Sequence, residues 1–254
     1  MKETPEVTGR WLRTLKPCPR PRLRLVCFPH AGGAASCFAP WARELPGDVE
    51  LLAVRYPGRE DRLADPFAES MEQLAEEITP ACAPLFDRPV VFFGHSMGAS
   101  VAYEVAVRLA ARGALPALLC VSARQGPGGD HPVRVLADQD DEALMAEVRG
   151  LGGTQAQAFD HPELRPLVLP PIRADYRLLR GYEPRIVPLP CPVAAYYGAA
   201  DADVPEAAVQ AWRSVTRSGF TTRAFPGGHF YLADHTRALV ADILGRCTAL
   251  ARSR

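Results

Sequence analysis

The sequence predicts an α/β protein built on a mostly parallel central sheet with helices on both faces. Three observations predict this class: short β-type runs alternate with helical patterns, no linker divides the 254 residues, and a Gly-x-Ser-x-Gly pentapeptide stands between one strand and one helix. Hydrophobic residues at 48% and charged residues at 23% are ordinary for a globular protein. We therefore expect a single domain over residues 1–254.

The strands and helices of this domain are predicted in chain order from hydrophobic periodicity. Strands are expected at 23–28, 49–54, 90–93, 118–122, 193–197 and 220–225. A helix is expected over 70–86, with a kink or early end near Thr79 because Pro80 and Pro84 interrupt it. Another helix follows the pentapeptide and is expected to stop at Gly113.

The interval between the strands 118–122 and 193–197 is unusually long. It is about twice the roughly 30 residues that a whole β-α-β unit needs. It contains a helical pattern near 140–149, a glycine break, and a Leu- and Pro-rich stretch over 164–182. Insertions of this size are usually functional, so we predict a helical lid over about residues 130–185, the alternative being a decorative cap.

Charge and cysteine usage exclude several classes of protein. The 29 basic and 29 acidic residues balance, which argues against nucleic acid or an anionic membrane as the main partner. Seven scattered cysteines without C-x-x-C spacing predict neither a disulfide framework nor a zinc site. We see no signal peptide and no uncharged apolar run of membrane-spanning length, so we expect a reduced, cytoplasmic protein without a metal.

The pentapeptide Gly94-His95-Ser96-Met97-Gly98 is typical of a nucleophile elbow. In such an elbow a buried strand stops, the chain turns sharply so that the serine projects above the sheet, and a helix begins at once. The flanking glycines are expected because a side chain there would press against the strand and helix. Ser96 is therefore a candidate nucleophile, with a structural turn as the alternative.

A nucleophilic serine needs a histidine as general base and a carboxylate that orients it, in the order Ser, Asp, His. Asp201 and Asp203 follow the strand 193–197, and we favour Asp201 because Asp203 lies nearer the next helix, although either could cap that helix. His229 follows the last strand in a Gly-Gly-His turn and is the expected base. Other histidines are expected in different places: His235 at the surface of the terminal helix, His131 and His161 in loops.

The chemistry also needs donors for the oxyanion that develops on the substrate. In elbow geometry one donor is the backbone N–H of Met97, and the other comes from the glycine-rich loop 28–35 after the first strand, where Ala31 is expected. His30 and Gly32 are assigned to the substrate site, His30 as a loop-shaping residue rather than a base. An ordinary strand-to-helix turn is the alternative for this loop.

With these residues assembled, the chain resembles the stand-alone type II thioesterases of polyketide and nonribosomal peptide biosynthesis, a family of α/β-hydrolases. The segment Tyr-Pro-Gly-Arg-Glu-Asp-Arg at 56–62 is the most discriminating part, because general esterases do not need it; its alternative is a polar loop. Further matching segments are Trp11-Leu12, Cys27-Phe28-Pro29-His30-Ala31-Gly32-Gly33, the elbow with Ala99, 151–153, 167–170 and Gly227-Gly228-His229-Phe230.

The resemblance implies hydrolysis of acyl groups from the phosphopantetheine arm of acyl or peptidyl carrier proteins, which removes stalled or wrongly primed chains. It implies a carrier protein as partner and no cofactor besides that carried by the substrate. We expect a monomer, although no sequence feature marks the oligomeric state. It also implies a catalytic triad and two oxyanion donors: Ser96, Asp201 and His229, with Ala31 and Met97. In the lid, Leu144 and Met145 are expected to contact substrate, so that a charged residue at either would alter acyl-chain preference with the fold intact.

Two other functions fit parts of this pattern. An ordinary esterase that acts on small oxyesters would share the triad but would not need a surface for a carrier protein. A binding protein on a hydrolase scaffold would use the cleft without chemistry. The presence of all three residue types, Ser, His and Asp, argues against this second alternative, because a scaffold has no need of all three roles.

Overall fold

The computed structural model describes residues 4–128, 138–153 and 158–252. A seven-stranded sheet of order β1-β3-β2-β4-β5-β6-β7 forms its centre. The strands are β1 (Leu12–Lys16), β2 (Leu23–Phe28), β3 (Val49–Val54), β4 (Val90–His95), β5 (Leu118–Ser122), β6 (Val193–Gly198) and β7 (Phe220–Phe225). Among the strands of the described residues, only β1 pairs antiparallel, with β3, and all other neighbours are parallel. The predicted mostly parallel sheet is confirmed.

Helices cover both faces of this sheet. The α-helices are α1 (Thr4–Trp11), α2 (Met71–Cys82), α3 (Met97–Ala110), α4 (Asp141–Gly150), α5 (Arg165–Gly181), α6 (Glu206–Gln210) and α7 (Thr236–Arg252). Short 3₁₀ segments lie at Ala35–Arg43, Glu60–Arg62, Ala83–Asp87 and Ala211–Val215. Side chains of a strand alternate between faces, so Val26 and Phe28 join the core beneath α2 and α3, while Leu25 and Cys27 join the core beneath α7.

The structure differs from the sequence-based predictions at three places. The edge strand β1 was not predicted, because only Leu12 in it is buried and no alternation of apolar residues marks it. Helix α2 does not end near Thr79 but continues through Pro80, which lies on the exposed face where water can bind the carbonyl that loses its partner. His235 precedes α7 rather than lying in it, and its ring packs 5.8 Å from that of Phe225.

Helices α4 and α5 lie in the crossover between β5 and β6, where the lid is predicted. Residues 129–137 and 154–157 of this region, with His131, lie outside the described residues. Apolar side chains of the two helices and of the segment between them form a small core of their own: Leu144, Met145, Val148, Phe159, Leu169 and Ile172. Leu144 and Met145 are 0% and 1% exposed, which contradicts the expectation that a charged residue at either position would leave the fold intact.

The cysteines of the protein are not paired with one another. All seven cysteines lie in the described ranges and are free thiols. Burial raises the pKa of Cys82 and of Cys191 to about 12, so neither is a thiolate at neutral pH. Within residues 4–128, 138–153 and 158–252, no helix has the length and apolar character needed to cross a bilayer.

Candidate active site

The turn between β4 and α3 holds Ser96 in a conformation that is rare for residues other than glycine. Ser96 has φ 53° and ψ −121° and lies directly before the first residue of α3. A Cβ atom on Gly94 would lie 2.2 Å from the carbonyl oxygen of Gly98, and one on Gly98 would lie 2.0 Å from that of Phe28. Both glycines are therefore required by close backbone approach, as the elbow interpretation expects.

Ser96, His229 and Asp201 form one chain of hydrogen bonds at the carboxyl edge of the sheet. The Nε2 atom of His229 lies 3.0 Å from Oγ of Ser96, and its Nδ1 atom lies 2.8 Å from Oδ2 of Asp201. His229 and Asp201 are both buried. The loops after β6 and β7 touch, since a Cβ atom on Gly198 would lie 2.1 Å from the carbonyl oxygen of Gly228. That contact brings the acid and the histidine together.

The two candidate acids occupy different positions in this chain. The carboxylate that lies beside Nδ1 of His229 belongs to Asp201. Asp203 contributes its backbone N–H, which donates to Oδ1 of Asp201 at 3.1 Å. Each oxygen of the Asp201 carboxylate is thereby held by one hydrogen bond, and a carboxylate fixed in this way can fix the tautomer and orientation of an imidazole.

A second histidine, His95, was not predicted as part of the site. Its ring centroid lies 5.4 Å from that of His229. Its Nδ1 atom is 2.9 Å from Oγ of Ser122, which is in turn 2.6 Å from the hydroxyl of Tyr231. Burial, and then the neighbouring imidazoles of His229 and His30, hold the pKa of His95 well below its usual range. His95 is therefore neutral at neutral pH and does not repel a positive charge on His229. Its place beside the serine was the only sequence signal.

The two segments that carry the predicted oxyanion donors, the loop after β2 and the start of α3, lie against each other. The loop after β2 makes a tight turn in which the N–H of Gly33 donates to the carbonyl of His30 at 2.8 Å, with Gly32 at φ 73°. Ala31 is half-buried in this turn, and Met97 is buried as the first residue of α3. The close approach of Gly98 to the carbonyls that precede the turn brings the start of α3 against the loop.

Other residues predicted at the substrate site have structural contacts. The N–H of Gly32 donates to Oδ2 of Asp175 at 2.7 Å, so this amide is engaged within the protein. The ring of His30 packs edge-on against Phe230, with centroids 4.8 Å apart, consistent with a loop-shaping role. Leu144 and Met145 both pack in the small core of α4 and α5, and Met145 also lines a groove of about 600 Å³ beside α5.

Asp175 is a residue of this site that sequence reasoning missed. It lies on α5 and is 3% exposed, and it contacts both Arg59 and the glycine-rich loop 28–35 after β2, which is called the oxyanion loop below. Its signal was an acidic side chain on the otherwise apolar face of the helix within the Leu- and Pro-rich stretch 164–182. Nothing local indicated its partner, because Arg59 is 116 residues away in sequence.

A parallel sheet with a serine elbow and a buried Ser-His-Asp chain at its carboxyl edge defines the fold of an α/β-hydrolase. Within that class, the family model of the thioesterase domain matches residues 23–247, and the chain therefore belongs to the thioesterase family, whose members hydrolyse thioesters. The resemblance found in the sequence is confirmed at the level of the family.

Individual relatives show which kind of thioesterase the chain is similar to. Thioesterase PikA5 of Streptomyces venezuelae is 44% identical over 239 residues, which are 93% of this chain and 85% of that protein. The structure of BorB, a type II thioesterase from the borrelidin biosynthetic cluster, is 39% identical with a TM-score of 0.87 and covers 93% of this chain and 97% of its own. YbtT, a type II thioesterase from the yersiniabactin NRPS/PKS pathway, is 30% identical with a TM-score of 0.85, over 94% of this chain and 99% of its own. The predicted type II class is thereby confirmed.

Proposed function

We propose that this thioesterase hydrolyses acyl groups from the phosphopantetheine arm of carrier proteins in a polyketide or nonribosomal peptide synthase. Removal of stalled or wrongly primed chains would then be its task, and the carrier protein its partner in the cytoplasm. The single observation that carries the proposal is the hydrogen-bonded chain of Ser96, His229 and Asp201 in a protein whose relatives include type II thioesterases of such pathways.

Acylation begins at Ser96. Its Oγ attacks the thioester carbonyl while Nε2 of His229, 3.0 Å away, accepts the hydroxyl proton. The tetrahedral intermediate collapses when the C–S bond breaks, and the imidazolium of His229 gives its proton to the departing pantetheine sulfur. The products of this half-reaction are the free thiol on the carrier protein and an acyl ester on Ser96.

Deacylation reverses the roles around the same histidine. A water molecule takes the place of the thiol, His229 accepts one of its protons, and the resulting hydroxide attacks the acyl ester. Breakdown of this second intermediate returns the proton from His229 to Oγ of Ser96 and releases the carboxylic acid. Asp201, 2.8 Å from Nδ1 of His229, stabilises the imidazolium in both half-reactions.

The negative charge on the substrate oxygen needs donors that are already in place. The backbone N–H groups of Ala31 and Met97 are our candidates, since the loop and the start of α3 are packed together beside Ser96. Met97 adds the favourable dipole of a helix N-terminus. In this mechanism protein groups and water suffice, so we propose that the enzyme has no cofactor or metal of its own.

The proposal is tested by intact-mass measurement of carrier proteins loaded with a series of acyl groups. Incubation with the wild-type enzyme should remove the acyl mass, faster than matched oxyesters of the same acids are hydrolysed, and Ser96→Ala should remove none. A strong preference for the oxyesters would favour a general esterase instead. Turnover that persists in Ser96→Ala would contradict the mechanism.

A further inference from the structure

The segment 56–62 is the most discriminating part of the resemblance to the family, but none of the three catalytic residues lies in it. After β3 the chain turns at Gly58, which has φ 79° and lies against Phe67, and again at Glu60, which has φ 50° without being glycine. Between these turns the backbone of Arg59 is extended, at φ −150° and ψ 162°. The two turns direct the Arg59 side chain inward, where the residue is 7% exposed.

Arg59 forms a buried ion pair with Asp175 of α5. Its Nη1 and Nη2 atoms lie 2.7 Å and 2.9 Å from the two carboxylate oxygens, a bidentate arrangement. Nε donates to the carbonyl of Pro57 at 3.2 Å. The pair thus joins α5 to the loop after β3. Further hydrogen bonds to backbone groups fix the orientation of both side chains.

The same pair holds the oxyanion loop from two sides. Nη1 of Arg59 also donates to the carbonyl of Gly33 at 3.2 Å, and Oδ2 of Asp175 accepts the N–H of Gly32 at 2.7 Å. A third contact comes from the segment that precedes Arg59, since the Tyr56 hydroxyl donates to the carbonyl of Pro29 at 3.2 Å. The Ala31 peptide therefore lies between backbone groups that are each fixed by a side chain from outside the loop.

The energetics of such a pair favour a role in positioning rather than in stability. Removing two charges from water costs about as much as their attraction returns, and apolar side chains of similar size often stabilise a fold as well or better. Apolar side chains cannot, however, donate to one backbone carbonyl and accept from the neighbouring N–H. Those two directional contacts are what the ion pair adds to the loop.

On the basis of these contacts we propose that Arg59 and Asp175 are positioning residues that hold the Ala31 amide toward the oxyanion of the substrate. The inference rests on the proposed function, in which Ala31 is an oxyanion donor. It predicts that loss of the pair weakens stabilisation of the transition state and leaves binding of the ground-state thioester nearly unchanged.

The principal variant is Arg59→Met with Asp175→Leu, which removes both charges and leaves no unpaired charge in the interior. With an acyl thioester of N-acetylcysteamine as substrate, we expect kcat to fall roughly 10- to 100-fold, with KM within about twofold of wild type. The inhibition constant of an alkyl trifluoromethyl ketone, which adds Ser96 Oγ to form a tetrahedral oxyanion, should rise by the same factor as kcat/KM falls.

The matched control is Arg24→Met with Glu50→Leu. Arg24 forms an ion pair with Glu50 at 2.8 Å between β2 and β3, near the amino ends of these strands and opposite the active-site edge, and a second one with Asp87, which is exposed to water and tolerates the loss of its partner. We expect the control to keep wild-type kcat and inhibitor affinity. Should the principal variant fail to fold, Arg59→Lys provides the test, because lysine keeps the charge but cannot contact both Asp175 oxygens and Gly33 at once.

The outcomes separate the inference from the proposed function. A folded variant with unchanged kcat, or one in which only KM rises, would overturn the positioning role of Arg59 and Asp175. Thioesterase activity of the wild-type enzyme would still support the proposed function in that case. A loss of inhibitor affinity by the same factor as the loss of kcat/KM would support the positioning role. A wild-type enzyme that hydrolyses no thioester would instead contradict the proposed function, and the inference with it.

Discussion

The backbone N–H of Asp203 donates to Oδ1 of Asp201, while Oδ2 of the same carboxylate lies 2.8 Å from Nδ1 of His229. Two neighbouring aspartates thus have different roles in one hydrogen-bond chain. Asp203 takes part in that chain through its backbone N–H, which an asparagine at the same position would keep.

The first prediction concerns these two acids. Asp201→Asn should lower kcat by roughly 10⁴-fold, because an amide favours the wrong tautomer of His229 and cannot stabilise its imidazolium. Asp203→Asn keeps the backbone N–H and should change kcat by less than about threefold. Steady-state kinetics on one thioester decide between them. Equal losses in both variants would mean that another carboxylate orients His229.

The second prediction concerns the elbow. Gly98→Ala places a Cβ atom 2.0 Å from the Phe28 carbonyl oxygen, so the helix or the oxyanion loop must shift. We expect a loss of roughly 1–3 kcal/mol in the free energy of unfolding, and a lower kcat because Ser96 moves with the helix. Chemical denaturation and kinetics measure both effects.

A glycine elsewhere gives the control for that experiment. Gly245 lies inside α7, and outside the neighbouring turns of that helix no atom lies within 4 Å of where its Cβ would be. Gly245→Ala should raise the free energy of unfolding by roughly 0.5–1 kcal/mol and leave kcat unchanged. If Gly98→Ala behaved in the same way, close backbone approach would not be the reason for glycine at the elbow.

The third prediction follows from the lowered pKa of buried His95. Below about pH 6.5 the unfolded chain binds a proton at this histidine, whereas the folded protein does not until the pH reaches the lower pKa of the folded state. His95 therefore makes the free energy of unfolding decrease as the pH falls through this window, by up to about 1.4 kcal/mol per pH unit. Above pH 6.5 it contributes no pH dependence.

The variant His95→Gln isolates this contribution. Its free energy of unfolding, measured with urea from pH 8 to pH 5, should decrease less steeply than that of the wild type below pH 6.5. The difference between the proteins at pH 8 gives the packing cost of the substitution itself. Parallel curves over the whole range would show that His95 titrates alike in the folded and unfolded states.

The fourth prediction concerns the lid core. Leu144→Asp buries a charge at a position that is 0% exposed, so we expect α4 and α5 to lose protection from hydrogen exchange and acyl-chain preference to change. Leu167→Asp is the matched control, since Leu167 lies on α5 and is 47% exposed. If Leu144→Asp left exchange in α4 unchanged, the small core would not be what holds the lid helices together.

Site residues that lie within a few residues of the end of a strand were predictable from the sequence. Ser96, Asp201 and His229 each follow an apolar run and are flanked by glycine or small residues, and this local pattern locates the ends of parallel strands. The same reasoning located the strands β2 to β6, because buried strands of a parallel sheet read as continuous apolar runs.

Residues whose role depends on distant partners were not predictable. Asp175 acquires its role only when α5 folds back over the loop after β2, 143 residues earlier in the chain. The edge strand β1 gave no signal because its register is set by pairing with β3 rather than by its own apolar pattern. Pro80 misled the prediction of the end of α2, since solvent exposure of the proline cannot be read from the local sequence.

The rare backbone conformation of Ser96 has a consequence for the timing of catalysis. A residue held at positive φ costs of order 1–3 kcal/mol, and the contacts of Gly94 and Gly98 maintain it in the folded protein. That cost is incurred when the chain folds, before any acyl group arrives. Each turnover then begins with the hydroxyl already exposed to the substrate, and no backbone rearrangement has to precede the attack.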